Sequence, residues 1–422
     1  MKPLLFVAAL AVAAVFVAPA SSAPPASPYI VVLVDGASSQ AVARDHARRA
    51  GAEISHVYGH ALAGYAARLT PAGLAAVLSD ARVRYVTPDR GVRLATQVLP
   101  TGVDRIDGEL SSTLAGNGSG SVDVDVAVLD TGVDSDHPDL NVAGGVSCIQ
   151  GAGDFEDGNG HGTHVAGTIA AKDDAVGVVG VAPGARIWGA RVLNAAGFGS
   201  FAGVICGIDW ATGTRLDADP GNDIEVANMS LSGGGSDDGN CGEDNNDALH
   251  AAICRSTDAG ITYVVAAGNA ARDFRRSVPA AYDEVLTVTA LSDFDGQPGA
   301  LGSPTCRSDE DDTFANFSNF ATLKDDQDHT IAGPGVCILS TWKNGSYNTI
   351  SGTSMSTPHL AGTAALCIAN GCGASPSQVI QKLRRDAEGY NERGDTGYGF
   401  VGDPLRPVSG KYFGFLVRAG LY

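Results

Sequence analysis

Three residues that together can turn a hydroxyl into a nucleophile sit in short, distinctive segments far apart in the chain. Asp130 closes the apolar run VAVLD and opens DTG. His161 stands in GHGTHVAGT, and Ser354 in GTSMSTPHLAG. A serine hydroxyl attacks poorly near neutral pH. It needs an imidazole to take its proton and a carboxylate to fix the imidazole's tautomer. A histidine with pKa near ~6.5 can accept and return a proton in that range. Gly352 permits close backbone approach, and Pro358 suits the first turn of a helix that opens at Ser354. Such an N-terminus aims N–H groups and positive potential at developing negative charge.

Competing chemistries fit less well. A Ser before a helix often only caps it. His164, three residues after His161, invites a metal reading, but no HExxH glutamate and no nearby third ligand accompany it. It reads as a buried histidine hydrogen-bonded within its helix. DTG also occurs in aspartic proteases, which need two such loops; this chain has one.

These residues need elements to carry them. Before residue 95 the pattern gives a strand at 29–34, a basic-faced helix at 38–50, strands at 54–58 and 64–69, a helix at 70–79 and a strand at 83–86. The second helix has Thr70 as cap and Pro71 in its first turn. This β-α-β-β-α-β order is a small α+β ferredoxin-like sandwich. From about residue 95 strands and helices alternate. Strands are expected at 124–129, 185–193, 224–229, 261–266 and 285–290, and helices at 161–171, 202–212, 247–259 and 354–369. Such alternation implies a mainly parallel sheet covered on both faces, an α/β three-layer domain with ligands at strand carboxyl ends. Asp130 and Asn269 fall at strand ends; His161 and Ser354 fall at helix starts.

Composition sets the bounds. Residues 1–94 hold nine Lys/Arg and five Asp/Glu, net +4; the remainder holds 19 and 42, net −23. An acidic body excludes nucleic acid as a partner, and a basic head complements it. Residues 1–20 read as a signal peptide: Lys2, an apolar stretch from Leu4 to Val17, and small residues Ala18, Pro19 and Ala20 at the cleavage position. No later segment is long and apolar enough to span a membrane. A Pro/Ala/Ser linker at 24–28 follows. All eight cysteines lie after the basic head, and an even count in an exported chain reads as disulfides. Many pairings are open. Proximity favours Cys241–Cys254 and Cys367–Cys372, Cys306–Cys337 would close an acidic insert, and Cys148–Cys206 is left by elimination. The acidic stretches Asp237-Asp238 and 308–312 could hold further calcium, or stand as ordinary solvated loops.

The three segments and their order resemble the subtilisin-like serine proteases, nearest the proteinase K branch, over nearly the whole chain from residue 28. The resemblance implies a signal peptide at 1–20, an inhibitor-like propeptide at 28–93 ending near YVTPD (85–89), and a peptidase domain at 96–422. It implies a secreted endopeptidase made as a zymogen, cut near Ala95 by itself, monomeric, with protein or peptide substrates and its own propeptide as intramolecular inhibitor. Asn269 in VVAAGN becomes the side-chain donor of the oxyanion hole. Substrate would lie extended between Gly197, Phe198 and Gly199 on one side and Ser230, Leu231 and Ser232 on the other. Ala266 and Gly268 would wall the primary pocket, which Ser232, standing where the family usually has Gly, narrows. Phe201, Val204 and Leu231 would line an apolar pocket further along. The family most often has Ala where Ser356 stands. No organic cofactor is implied. A structural Ca²⁺ is, with oxygen ligands from Gln97, Asp139, Lys172, Asp174, Val176 and Val178. Two other readings stay open: a subtilase-fold binding protein without turnover, and a transpeptidase using the same acyl-enzyme.

Overall fold

The computed structural model describes residues 26–89, 97–393 and 397–422. The chain divides into two compact units, residues 1–94 and 95–422. The signal-peptide segment and the expected cleavage junction near Ala95 lie outside the described residues.

In the first unit, alternation in Ser27–Leu33 and Gly64–Leu69 puts Val31, Leu33, Tyr65, Ala67 and Leu69 on one buried face. Val42 from the Ser39–Arg49 helix and Val77 from the Pro71–Leu78 helix close over it. Ser38 and Thr70 cap these helices through their hydroxyls, each satisfying an amide that a helix start leaves unpaired. The sheet order is Glu53–Tyr58, Gly64–Leu69, Ser27–Leu33, Val83–Pro88, with every pairing antiparallel. This is the expected ferredoxin-like order.

The second unit is built on an eight-stranded sheet among the described residues. Asp125–Asp130 lies in its middle. Arg186–Arg191 and then Val142–Ser147 lie to one side; Val226–Met229, Thr262–Ala266, Leu286–Ser292 and Thr330–Pro334 follow on the other, all parallel. Thr313–Phe314 pairs antiparallel with Leu286–Ser292. Strand residues alternate between two cores. Val126 and Val128 pack with Val165, Ile169 and Leu360; Ala127 and Leu129 pack with Val204, Ile208 and Ile253. Helices His161–Ala170 and Thr353–Ala369 thus cover one face, and Phe201–Thr214 and Ala248–Asp258 the other. The chain leaves Asp125–Asp130 first toward one edge and later returns to its opposite side. Its carboxyl end is therefore a switch point, where an open α/β sheet leaves a crevice.

Several elements lacked an expectation from sequence: Val142–Ser147, Thr330–Pro334, the Ile338–Trp342/Ser346–Ile350 hairpin and the Pro376–Asn391 helix. The two proximity-based pairs form, Cys241–Cys254 and Cys367–Cys372, as do Cys306–Cys337 across the acidic insert and the remaining pair, Cys148–Cys206. No described helix is long and apolar enough to cross a membrane.

Candidate active site

Asp130 is fully buried at the end of its strand. Its Oδ1 accepts the amide of Thr131 at 2.7 Å and meets His161 Nδ1 at 2.7 Å. His161 opens its helix and keeps 24% of its side chain exposed. Burial pulls its pKa down, but the charge and hydrogen bond of Asp130 prevail and the net shift is upward.

A residue that drew no attention in the sequence, Asp157, holds this corner together. Its Oδ1 accepts from the Thr131 hydroxyl and the amides of Asn159 and Gly160; its Oδ2 accepts from the amide and hydroxyl of Thr163. Thr131 Oγ1 in turn accepts the amide of Gly162. A Cβ on Gly162 would lie 2.1 Å from the Gly132 carbonyl oxygen, so only glycine lets this helix start approach the DTG turn. An Asp before Asn-Gly was the available signal, and it reads equally well as a solvated turn.

Ser354 lies one residue inside its helix, which begins at Thr353 with Gly352 as cap. Pro358 therefore sits in the second turn, not the first as the sequence suggested. Proline has no N–H to offer the carbonyl four residues back. That carbonyl belongs to Ser354, and the Ser230 hydroxyl satisfies it instead at 2.9 Å. The Ser354 hydroxyl donates to the Ser230 carbonyl at 3.2 Å. Among the described residues no hydrogen bond joins it to His161.

Asn269 is held by its acceptor end: Oδ1 takes the Thr353 amide and hydroxyl at 2.8 and 2.9 Å. This leaves the NH₂ end free to donate. Gly268 has φ +101°, and a Cβ there would strike Asn319 Nδ2 at 2.5 Å. Asn319 braces the same turn, donating to the Ala267 carbonyl and accepting the amides of Ala270 and Arg272.

His161, Ser354 and Asn269 line one cleft of about 520 Å³. Every expected substrate-contact residue lines it too: Gly197, Phe198, Gly199, Ser230, Leu231, Ser232, Ala266 and Gly268, with Phe201 and Val204. Thr131, Asn159 and Leu193 join them without having been expected. His164 bonds to the Ile338 carbonyl at 2.9 Å, on a neighbouring strand rather than within its own helix. Burial pushes its pKa down to about 3, which keeps it neutral and structural.

Among the residues expected to hold calcium, Gln97 Nε2 lies 2.6 Å from the Lys172 carbonyl oxygen and 3.3 Å from that of Val178. Gln97 Oε1 is buried without a hydrogen-bond partner among the described residues. Asp139 Oδ2 accepts the Val178 amide and the Tyr347 hydroxyl. Burial raises the Asp139 pKa despite those bonds. Asp174 accepts the Val176 amide at the exposed tip of the same loop.

Comparison with known proteins gives the family. Residues 121–401 match the profile described as the Subtilase family, and residues 28–95 match Peptidase inhibitor I9. M-protease of Shouchella clausii (strain KSM-K16) is 35% identical over 79% of this chain and 76% of its own. Subtilisin E of Bacillus subtilis (strain 168) is 33% identical over 83% and 82%. A solved cold adapted subtilisin-like serine proteinase superposes with a TM-score of 0.54 at 30% identity, covering 76% of this chain and 98% of that one. The chain belongs to the subtilase family, as a serine endopeptidase with an inhibitor-type propeptide.

Proposed function

We propose that Ser354, His161 and Asp130 carry out peptide hydrolysis, with Asn269 as oxyanion donor. The observation that carries this reading is the 2.7 Å bond from Asp130 Oδ1 to His161 Nδ1, beside a cleft that Ser354 and Asn269 also line. Asp130 holds the proton on Nδ1, which leaves Nε2 as the base. Ser354 Oγ attacks the substrate carbonyl carbon while Nε2 takes its proton. The carbonyl oxygen becomes an oxyanion, which the Asn269 NH₂ and the Ser354 amide stabilise. Collapse expels the amine, protonated by His161, and leaves an acyl-enzyme. Water repeats the sequence and frees Ser354. The extended substrate lies between Gly197–Phe198–Gly199 and Ser230–Leu231–Ser232, its primary side chain between Ser232 and the Ala266–Gly268 wall. The chain is exported behind residues 1–20, and the 28–93 unit inhibits the 96–422 unit until self-cleavage near Ala95. The test compares the full chain with Ser354→Ala, made in a protease-free host, by mass, N-terminal sequence and casein cleavage. Ser354→Ala should stay unprocessed and inactive; turnover or identical maturation by that variant would overturn the reading.

The same family reading includes a structural Ca²⁺. The donor set is all oxygen, as a hard cation requires: the Gln97 and Asp139 side chains, Asp174, and the carbonyls of Lys172, Val176 and Val178. The buried Gln97 Oε1, without a hydrogen-bond partner among the described residues, supports it. When bound, the ion ties residue 97 to the 172–178 loop. A ligand that binds only the folded state at about a thousandfold excess over Kd adds ~4 kcal/mol. Excess chelator should therefore speed thermal inactivation of the active enzyme, and Asp139→Ala should reproduce the effect. Equal rates, with no calcium by elemental analysis, would remove the site.

A further inference from the structure

The loop at 235–247 follows the Ser230–Ser232 edge and folds back on the start of the Ala248–Asp258 helix. Asp238 shapes it. Its Oδ1 accepts the amides of Asn240 and Gly242, and its Oδ2 those of Asp244 and Asn245. The Cys241–Cys254 disulfide ties the loop to the same helix.

His250, in the first turn of that helix, is 0% exposed. Its Nε2 meets Glu284 Oε2 at 2.8 Å, and its ring stacks on Tyr282 with centroids 4.1 Å apart. The other nitrogen, Nδ1, is buried without a hydrogen-bond partner among the described residues. It faces Asp237 Oδ1 and Asp238 Oδ1, each 3.4 Å away. The three atoms lie within 4.8 Å of one another.

Those separations are long for N–H···O bonds, which run about 2.7–3.2 Å. They suit a shared ion. Zinc bonds of about 2.0–2.2 Å to nitrogen and oxygen, at tetrahedral angles, place neighbouring donors roughly 3.4 Å apart. Calcium takes oxygen ligands, six to eight of them, whereas an imidazole in the donor set selects a borderline transition ion. Glu284 supplies what a metal-bound histidine needs on its far side: an acceptor that holds the proton on Nε2 and leaves the Nδ1 lone pair free. We propose that His250 Nδ1, Asp237 Oδ1 and Asp238 Oδ1 form a divalent transition-metal site, for zinc by its donor chemistry, with a fourth position for water.

The Asp237 side chain keeps 19% exposure, which gives an ion a way in from solvent. None of the three ligands lines the substrate cleft. The ion's role is thus structural: it fastens the loop that continues from the Ser230–Ser232 edge.

The test is equilibrium dialysis of the full chain, as Ser354→Ala to prevent self-digestion, against Zn²⁺ in excess Ca²⁺. Co²⁺ serves as the visible-absorbing probe. The expectation is one ion per chain beyond what Asp237→Asn binds, with a tetrahedral Co²⁺ spectrum. Glu284→Gln should weaken binding by about 10–100-fold, as loss of such an orienting partner does, and Asp237→Asn by more. His250→Gln removes the nitrogen ligand outright. Where it fails to fold, Asp237→Asn still decides, because that side chain reaches solvent. Wild-type binding equal to Asp237→Asn, Zn²⁺ displaced by Ca²⁺, or an imidazolium paired with Asp237 and Asp238 and no ion would each overturn the assignment.

Discussion

Two histidines in this molecule have nearly the same first partner and very different prospects. His161 Nδ1 meets Asp130 Oδ1 at 2.7 Å; His250 Nε2 meets Glu284 Oε2 at 2.8 Å. Both lie in the first turn of a helix. In both, burial opposes the charged ring, the carboxylate favours it, and the carboxylate wins. What differs is the second nitrogen. His161 stands with a quarter of its side chain open, in a cleft shared with a serine and a free amide donor. His250 is sealed, and its second nitrogen looks at two more carboxylates. A proton can pass from His161 to a reacting group. At His250 there is nowhere for it to go, and the charge around it suits a fixed cation. A carboxylate–imidazole pair is therefore not in itself a catalytic sign; the environment of the far nitrogen decides.

Removing each ring should separate the two cases most widely. His161→Ala should lower kcat by about 10⁶-fold with little change in Tm; that magnitude is the one documented for subtilisin, a relative of this chain. His250→Ala should do the reverse. Taking one partner from a buried charge cluster costs about 3–5 kcal/mol, and the lower end applies because Glu284 is 28% exposed. The folded fraction should keep kcat within several-fold. Calorimetry alongside active-site titration measures both. An inactive His250→Ala protein with unchanged Tm would collapse the distinction.

A milder change tests the electrostatics. Asp130→Asn keeps the shape of the pair and removes its charge. By analogy with other serine proteases it should cost about 10⁴-fold in kcat. The sign of the pH effect follows from the pair. Asp130 favours the imidazolium, so His161 titrates above 6.5. Only the neutral ring is a base, and kcat/KM should rise with pH through that raised value. Without the charge the rise should move to lower pH. The same pairing stabilises the fold below the unfolded histidine pKa, and this contribution fades as pH rises through the folded one. A pH–rate profile and the Nδ1 proton signal report both; an unshifted limb in Asp130→Asn would mean that Asp130 does not set the base.

These two sites were not equally legible in the sequence. The residues proposed as catalytic lie in turns where glycine, helix start and strand end must coincide, so GHGTH, AAGN and GTSMSTP carry their own context. The alternating elements, and hence the parallel sheet, were readable for a related reason: runs such as VAVL before Asp130 and YVVA at 263–266 are apolar throughout. Val142–Ser147 and Thr330–Pro334 were not. They contain Gly144, Gly145, Gly333 and Pro334, types that argue against strands, and only neighbouring strands hold them there. The Pro376–Asn391 helix carries a usable signal, Pro376 at its start and Val379, Ile380, Leu383 and Ala387 at helical spacing. The His250 cluster gave only part of a signal. Asp237-Asp238 reads as a solvated acidic loop or a further calcium site, with nothing to point to His250, and Glu284 is 34 residues from the ring it orients. Asp157 is the same case at smaller scale.

The smallest expected effect sharpens the contrast from another direction. Ser356, two residues past Ser354, is fully buried, and its hydroxyl has no hydrogen-bond partner among the described residues. It resembles His250 Nδ1 in being an orphaned polar atom, but no charged group stands opposite. It faces Gly335, where even a Cβ would come within 2.2 Å of its oxygen. There is no room for an ion there. A buried unsatisfied hydroxyl costs about 1–3 kcal/mol, and alanine is also the better helix former. Ser356→Ala, the residue the family most often has, should therefore stabilise the protein by roughly 1 kcal/mol and raise Tm by about 2 °C in a domain of this size. Activity should hold, because Ser356 does not line the cleft. Added Zn²⁺ should raise the Tm of wild type and Ser356→Ala alike, and leave His250→Ala unmoved. A lower Tm in Ser356→Ala would mean that the hydroxyl has a partner after all. Burial without a partner would then no longer suffice, here or at His250, to infer what a site is missing.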